Sequence, residues 1–181
     1  LTHSTYIVIW NPVTLKSVEN HWSKNTVNEM ASRLIIRNPE TFMPQKSITR
    51  ADFAEYIIRA LGIYREGSNA ILVANEYGII SGYPDGTFRP DALITREEAM
   101  AMYQRAMKVT KLTGKDTDRY QSYADYSQVS DWAKSSVKEV LSARVFNGNT
   151  AATISPKSNL TYAEAAQAIR NLLAESDLIN K

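Results

Sequence analysis

Apolar residues fall at helical intervals in three separated stretches: VNEMASRLII (27–36), ILVANEYGII (71–80) and VKEVLSARVF (137–146). Each predicts an amphipathic segment with one buried face. A second set, FAEYIIRALGI (53–63), AMAMYQRAMKV (99–109) and AAQAIRNLLAES (165–176), repeats the pattern further along and predicts three more amphipathic helices. Between the sets lie turns and short extended loops. Near the start, STYIVIW alternates apolar and polar positions and predicts a β-strand within an N-terminal extension, 1–16.

The two sets belong to one unit written three times. With Arg50, Arg96 and Tyr162 as anchors, a threonine cap stands one residue before, at Thr49, Thr95 and Thr161. A branched apolar residue stands two before (Ile48, Ile94, Leu160), a proline six before (Pro44, Pro90, Pro156) and a large apolar residue eight before (Phe42, Phe88, Ile154). A threonine stands nine before (Thr41, Thr87, Thr153), and an acid stands two after (Asp52, Glu98, Glu164). Threonine followed three residues later by an acid is capping-box chemistry, with Asp52 the weaker form. Ile48, Ile94 and Leu160 occupy the staple position, facing Phe53, Ala99 and Ala165. GYPDG (82–86) is turn chemistry: Pro84 presets one dihedral, and Asp85-Gly86 reverses the chain. Each unit reads as helix, tight turn, extended loop, capped helix. One unit is too short to bury a core alone, so three should pack as one cooperative domain. The expected boundaries are 17–64, 65–110 and 111–181, the last including a long polar segment, 111–128, expected to be a mobile surface loop.

Composition narrows the function. The 181 residues carry a net charge of +2 with opposite charges interspersed, which disfavours a nucleic-acid partner. The chain has no cysteine, which removes disulfides and thiolate-held zinc, and no apolar run long enough to insert in a membrane. The two histidines, His3 and His21, lie in different segments without a carboxylate framework, so neither metal nor other cofactor is expected. Glu97-Glu98 are neighbours at a helix start and not carboxylates facing across a cleft, and no nucleophile motif is present. An enzyme is not expected.

The pieces SVENHW, GIISGYPDGTFRP, ITRADF and ITREEA, in three-copy context, resemble the S-layer homology (SLH) domain. The resemblance covers roughly residues 15–178. It implies a mainly α fold: three tandem repeats in a pseudo-threefold spindle, with a central three-helix bundle and peripheral prongs. It implies non-covalent anchoring of a secreted protein to the Gram-positive cell wall. The implied partner is a secondary cell-wall polysaccharide, commonly bearing pyruvylated N-acetylmannosamine, held in grooves between repeats. The family's central ligand contact is the arginine of its ITRAE motif, which carries over to Arg50 and Arg96. The chemistry agrees: an arginine binds the ketal carboxylate through two parallel hydrogen bonds. A guanidinium in a first helical turn also runs against dipole preference, and the helix N-terminus could add its own amides to an anion site. Trp22, Tyr83 and Trp132 are candidates to stack on sugar rings, Gly82 and Gly86 would let backbone amides approach the ligand, and Asp85 joins them in the same turn.

The third copy departs from the pattern, with Tyr162 in place of arginine. Copy one replaces GYPDG with RNPET, and copy two has Glu66 where a tryptophan is expected. The grooves holding Arg50 and Arg96 are therefore the expected sites, each collecting its arginine from one repeat and an aromatic from the next. Arg96 also reads as the one residue of its motif that the fold itself does not need. A module continuous with a larger surface protein, placed at its C-terminal end, is expected. The alternative is a protein–protein scaffold within a surface assembly.

Overall fold

The computed structural model describes residues 11–180. The predicted strand STYIVIW, residues 4–10, lies outside the described residues. Among the described residues six α-helices follow in chain order: α1 (Lys24–Ser32), α2 (Arg50–Ala60), α3 (Ala70–Glu76), α4 (Arg96–Thr110), α5 (Lys134–Ser142) and α6 (Tyr162–Glu175). The fold is mainly α, with isolated β-bridges in place of strands among the described residues.

The three capped helices α2, α4 and α6 start where the threonines predict. Thr49, Thr95 and Thr161 accept from the amides of Asp52, Glu98 and Glu164. In α4 and α6 the glutamate reaches back to the cap amide and completes the box. Aspartate is one methylene shorter, and Asp52 turns instead to the Tyr162 hydroxyl.

Those helices meet at a ring of backbone hydrogen bonds that no single repeat could make. The Ile48 N–H donates to the Leu160 carbonyl (2.9 Å), Leu160 to Ile94 (2.9 Å) and Ile94 to Ile48 (3.2 Å). All three side chains are buried beneath it. Below the ring, the Phe53 and Tyr103 rings pack edge to face at 5.1 Å, and the Tyr103 hydroxyl donates to the Ala165 carbonyl at 2.9 Å. Burial pushes the Tyr103 pKa well up, since a phenolate there would have no water.

Each short helix packs on the long helix of the preceding repeat: α3 on α2, α5 on α4 and, closing the circle, α1 on α6. Each short helix also ends on a left-handed residue at the same place, Leu34 (φ 60°), Gly78 (φ 67°) and Arg144 (φ 58°). Only the second copy uses the glycine that this conformation favours.

The segment 111–128 is built into the third repeat rather than forming the mobile loop expected of it. It contains two 3₁₀ turns, Arg119–Ser122 and Tyr126–Gln128. The Asp125 carboxylate accepts from the Ile154 and Ser155 amides at 2.8 and 2.7 Å, and the buried Tyr123 hydroxyl accepts from Gly148 N–H at 3.1 Å. Its polar composition hid the fact that those polar groups satisfy loop amides elsewhere in the repeat.

Candidate functional site

The amides of the long helices' first turns are already committed. Arg50 and Ala51 N–H donate to the Ala92 and Pro90 carbonyls, Arg96 and Glu97 to Ser158 and Pro156, and Tyr162 and Ala163 to Lys46 and Pro44. With the third amide taken by the threonine, these helix starts offer no donors to an anion. The expectation that they would is corrected by the proline loop of the next repeat, which lies across each helix start.

The same packing aims each anchor side chain into the neighbouring repeat. Arg50 is 5% exposed, with Nε donating to the Phe88 carbonyl (3.0 Å) and Nη2 to Ser81 (3.4 Å). Arg96 is 2% exposed, with Nε on Ile154 (2.5 Å) and Nη2 on Asn147 (3.3 Å). Arg96 Nη1 also reaches Glu164 at 2.5 Å. Burial lowers the Arg96 pKa, and the Glu164 charge works against that shift. Both arginines therefore hold the adjoining repeat's turn in place. The reading of Arg96 as dispensable to the fold is overturned, because its carbonyl partners come from residues far along the chain.

Two grooves open beside these guanidiniums, each built from three repeats. The first, about 410 Å³, takes Arg50 from repeat one, the turn through Gly82 and Tyr83 from repeat two, and Trp132 from repeat three. The second, about 470 Å³, takes Arg96 from repeat two, the turn Asn147–Asn149 from repeat three, and Trp22 from repeat one. Trp132 and Trp22 are 60% and 63% exposed, flat apolar faces left open to solvent at the groove mouths. His21 holds the Trp22 corner through Ser23 Oγ (2.7 Å) and Gln45 Nε2 (3.0 Å).

Of the residues expected to form a site, Arg50, Gly82, Tyr83 and Trp132 come together in the first groove, and Arg96 and Trp22 in the second. Asp85 and Gly86 line neither. The Asp85 carboxylate accepts from Thr87 N–H (2.9 Å) and Oγ1 (2.7 Å) and pairs with Arg89, bonds that hold its pKa below the carboxylate range. Gly86 sits at φ 80° and gives its amide to the Tyr83 carbonyl (2.9 Å), so its role is turn closure. Gly82 is close-packed for the same reason: a Cβ there would lie 3.2 Å from the Thr87 carbonyl oxygen.

Sequence reading missed Phe146, Gly148 and Arg105. Phe146 and Gly148 were within reach, since they stand where Ile80 and Gly82 stand in copy two, and the Phe146 ring lies 4.8 Å under the Arg96 guanidinium. Arg105 sits mid-helix with no motif around it. A third hollow, about 400 Å³, lies where the circle closes, beside Phe42, Tyr56 and Tyr162. The Tyr162 hydroxyl donates to Asp52 there, and neither arginine anchor nor tryptophan is among its lining residues. Among the described residues, no group of three or more His, Cys, Asp and Glu could hold a metal ion, and no helix is long and apolar enough to cross a membrane.

A closed ring of three helix pairs with grooves between repeats defines a tandem-repeat helical module. The S-layer homology domain family model matches residues 16–54, 64–100 and 122–166, and the chain belongs to that family. It is 32% identical to Exoglucanase XynX of Acetivibrio thermocellus over 94% of this chain and 17% of that protein. It is likewise 32% identical to Amylopullulanase of Thermoanaerobacterium thermosulfurigenes over 97% of this chain and 10% of that protein. A Cellulosome-anchoring protein of Acetivibrio thermocellus is 33% identical over 56% of this chain and 28% of its own length. The chain thus spans only a small part of the relatives it matches.

Proposed function

We propose that this chain anchors a larger protein to the bacterial cell surface. It does so by binding secondary cell-wall polysaccharide, non-covalently, in the grooves beside Arg50 and Arg96. The observation that carries the reading is the convergence, in each of two grooves, of a guanidinium, a tight turn and an exposed tryptophan from three different repeats. Sugar recognition wants that combination: an aromatic face for the ring's C–H surface and fixed donors for its oxygens. A pyruvylated N-acetylmannosamine terminus adds a carboxylate that a guanidinium matches. Membership of the S-layer homology family and the relative named as a cellulosome-anchoring protein both favour a surface-anchoring role.

The test is sedimentation of the chain with wall sacculi before and after the polymer is extracted. Binding should fall with extraction and with added salt. Because Arg50 and Arg96 are buried, the informative variant is Trp22→Ala with Trp132→Ala, which removes exposed rings and leaves the core intact. Binding to purified polymer should drop at least about tenfold, on the order of one stacked ring's contribution. Undiminished binding in that double variant overturns the reading, and binding that survives extraction favours a protein scaffold instead.

A further inference from the structure

The two arginine grooves are not chemical copies of each other. In the first, the Glu98 carboxylate is occupied on both oxygens. Oε1 accepts from the Tyr83 hydroxyl at 2.9 Å, and Oε2 accepts from Thr95 N–H and Oγ1 at 2.9 and 3.0 Å. Arg50 Nη1 stays 4.0 Å from Glu98, outside hydrogen-bond reach. In the second groove Asn149 stands where Tyr83 would, and among the described residues no tyrosine hydroxyl takes that oxygen of Glu164. Glu164 Oε1 closes instead on Arg96 Nη1 at 2.5 Å. Tyr83 thus keeps Glu98 from closing a direct hydrogen bond on Arg50 and leaves the two at ion-pair distance.

A second cation deepens the difference. Arg105 lines the first groove, and its Nη1 donates to the Ile79 carbonyl at 3.5 Å. Its pKa is lowered by burial first and then by the Arg50 charge, as expected of two guanidiniums facing one space. The corresponding residue in the second groove is Asn171, whose amide donates to the Val145 carbonyl at 3.1 Å. The first groove therefore presents two guanidiniums against one carboxylate. The second sets one guanidinium against one carboxylate, with the His21 ring at its Trp22 end and amides such as Gln167 and Asn171 along its wall.

Building on the anchoring role proposed above, we infer that the two grooves divide the polymer between them: the Arg50–Arg105 groove takes a carboxylate-bearing sugar and the Arg96 groove an uncharged one. A carboxylate between Arg50 and Arg105 relieves their mutual repulsion and meets Arg50 Nη1, which Glu98 does not reach within hydrogen-bond distance. In the second groove the same carboxylate would meet Glu164 and compete with it for Arg96. Amide side chains suit hydroxyl and acetamido groups, offering both donors and acceptors without charge.

Trp132 and Trp22 report on the two grooves separately. In proton–nitrogen spectra of the full chain their indole N–H signals can be assigned with Trp132→Phe and Trp22→Phe. The probes are the methyl glycoside of N-acetylmannosamine with and without its pyruvate ketal. The ketal sugar should move the Trp132 signal at a concentration at least about tenfold below that needed for Trp22, and the plain sugar should lose this preference. Arg105→Gln should weaken the ketal response at Trp132 by about tenfold, and Arg105→Lys, which keeps the charge, should recover part of it. Tyr83→Phe should act in the same direction as Arg105→Gln, by releasing Glu98 onto Arg50. Equal response of both indoles to the ketal sugar overturns the inference, as does an Arg105→Gln chain with its preference intact. A chain that binds extracted polymer yet shifts neither indole overturns the groove assignment and leaves anchoring standing. A chain that binds no wall polymer overturns anchoring, and this inference with it.

Discussion

At the scale of single residues, the exchange of arginine for Tyr162 shows how one position serves packing in all three copies. The anchor residue always crosses to the acid of the next repeat: Arg50 towards Glu98, Arg96 to Glu164 and Tyr162 to Asp52. Tyr162 keeps the crossing with a neutral donor and packs its ring against Phe42 and Tyr56 at 6.0 and 6.1 Å. Its pKa is raised by burial first and then by the hydrogen bond and charge of Asp52. A folded-state value above the unfolded one means the stabilisation is whole below about pH 10 and is lost as pH rises through the raised value. Tyr162→Phe should therefore cost about 1–2 kcal/mol at neutral pH. The gap from the parent should narrow above about pH 10. Urea unfolding of both chains at neutral and alkaline pH measures this, and a gap that stays constant would mean the bond to Asp52 contributes nothing. The absence of the arginine at Tyr162 was legible in the sequence because it needs only an alignment of copies. The burial of Arg50 and Arg96 was not, because the carbonyls that bury them, Phe88 and Ile154, belong to the next repeat.

At the scale of elements, caps and staples were readable because they are local: a threonine, an acid three residues on, an apolar residue before. Even the weakness of Asp52 as a box partner was readable from its length. The fate of the first-turn amides was not local, and dipole reasoning alone left them free for an anion. Segment 111–128 escaped for a related reason, since Asp125 makes sense only once Ile154 and Ser155 lie above it. The ends of the short helices show what the copies leave unoptimised. Leu34 and Arg144 adopt the left-handed turn that Gly78 adopts without a Cβ, and Leu34 is exposed, so its side chain adds little packing in compensation. Leu34→Gly and Arg144→Gly should each raise stability by about 0.5–1 kcal/mol, the left-handed penalty less the entropy glycine gains on unfolding. Thermal midpoints of the single and double variants measure this, with additive increases expected because the two turns lie in different repeats. A decrease at either position would show that the displaced side chain stabilises more than the strain costs.

At the scale of the whole molecule, the ring of Ile48, Ile94 and Leu160 separates this fold from an open repeat array. In a linear array each repeat contacts only its neighbours, and removing a terminal repeat costs one interface. Here the last repeat also contacts the first. The Tyr162 and Ala163 amides use carbonyls of the first proline loop, α1 packs on α6, and Arg170 pairs with Glu29 at 2.8 Å. Removing repeat three would break two sides of the triangle. It would leave the Ile48 N–H and the Ile94 carbonyl unpaired, uncover the face of α4 that α5 covers, and strip Arg96 of the carbonyls of Ile154 and Asn147. The groups left without partners, and the apolar faces beside them, would then lie open to water, so the remaining two repeats lose both the bonds and the burial that close the ring. A fragment ending at Thr110 should therefore lack a cooperative transition in urea, whereas the full chain should unfold in one step seen alike by near- and far-ultraviolet circular dichroism. The closed circle also makes the grooves interdependent, since each draws on all three repeats. A fragment that kept Arg50, Tyr83 and a cooperative transition would still lack Trp132, and should bind polymer no better than the chain with Trp132→Ala. A fragment that both folds and binds like the full chain would show that the repeats act singly and that closure of the ring has no part in function.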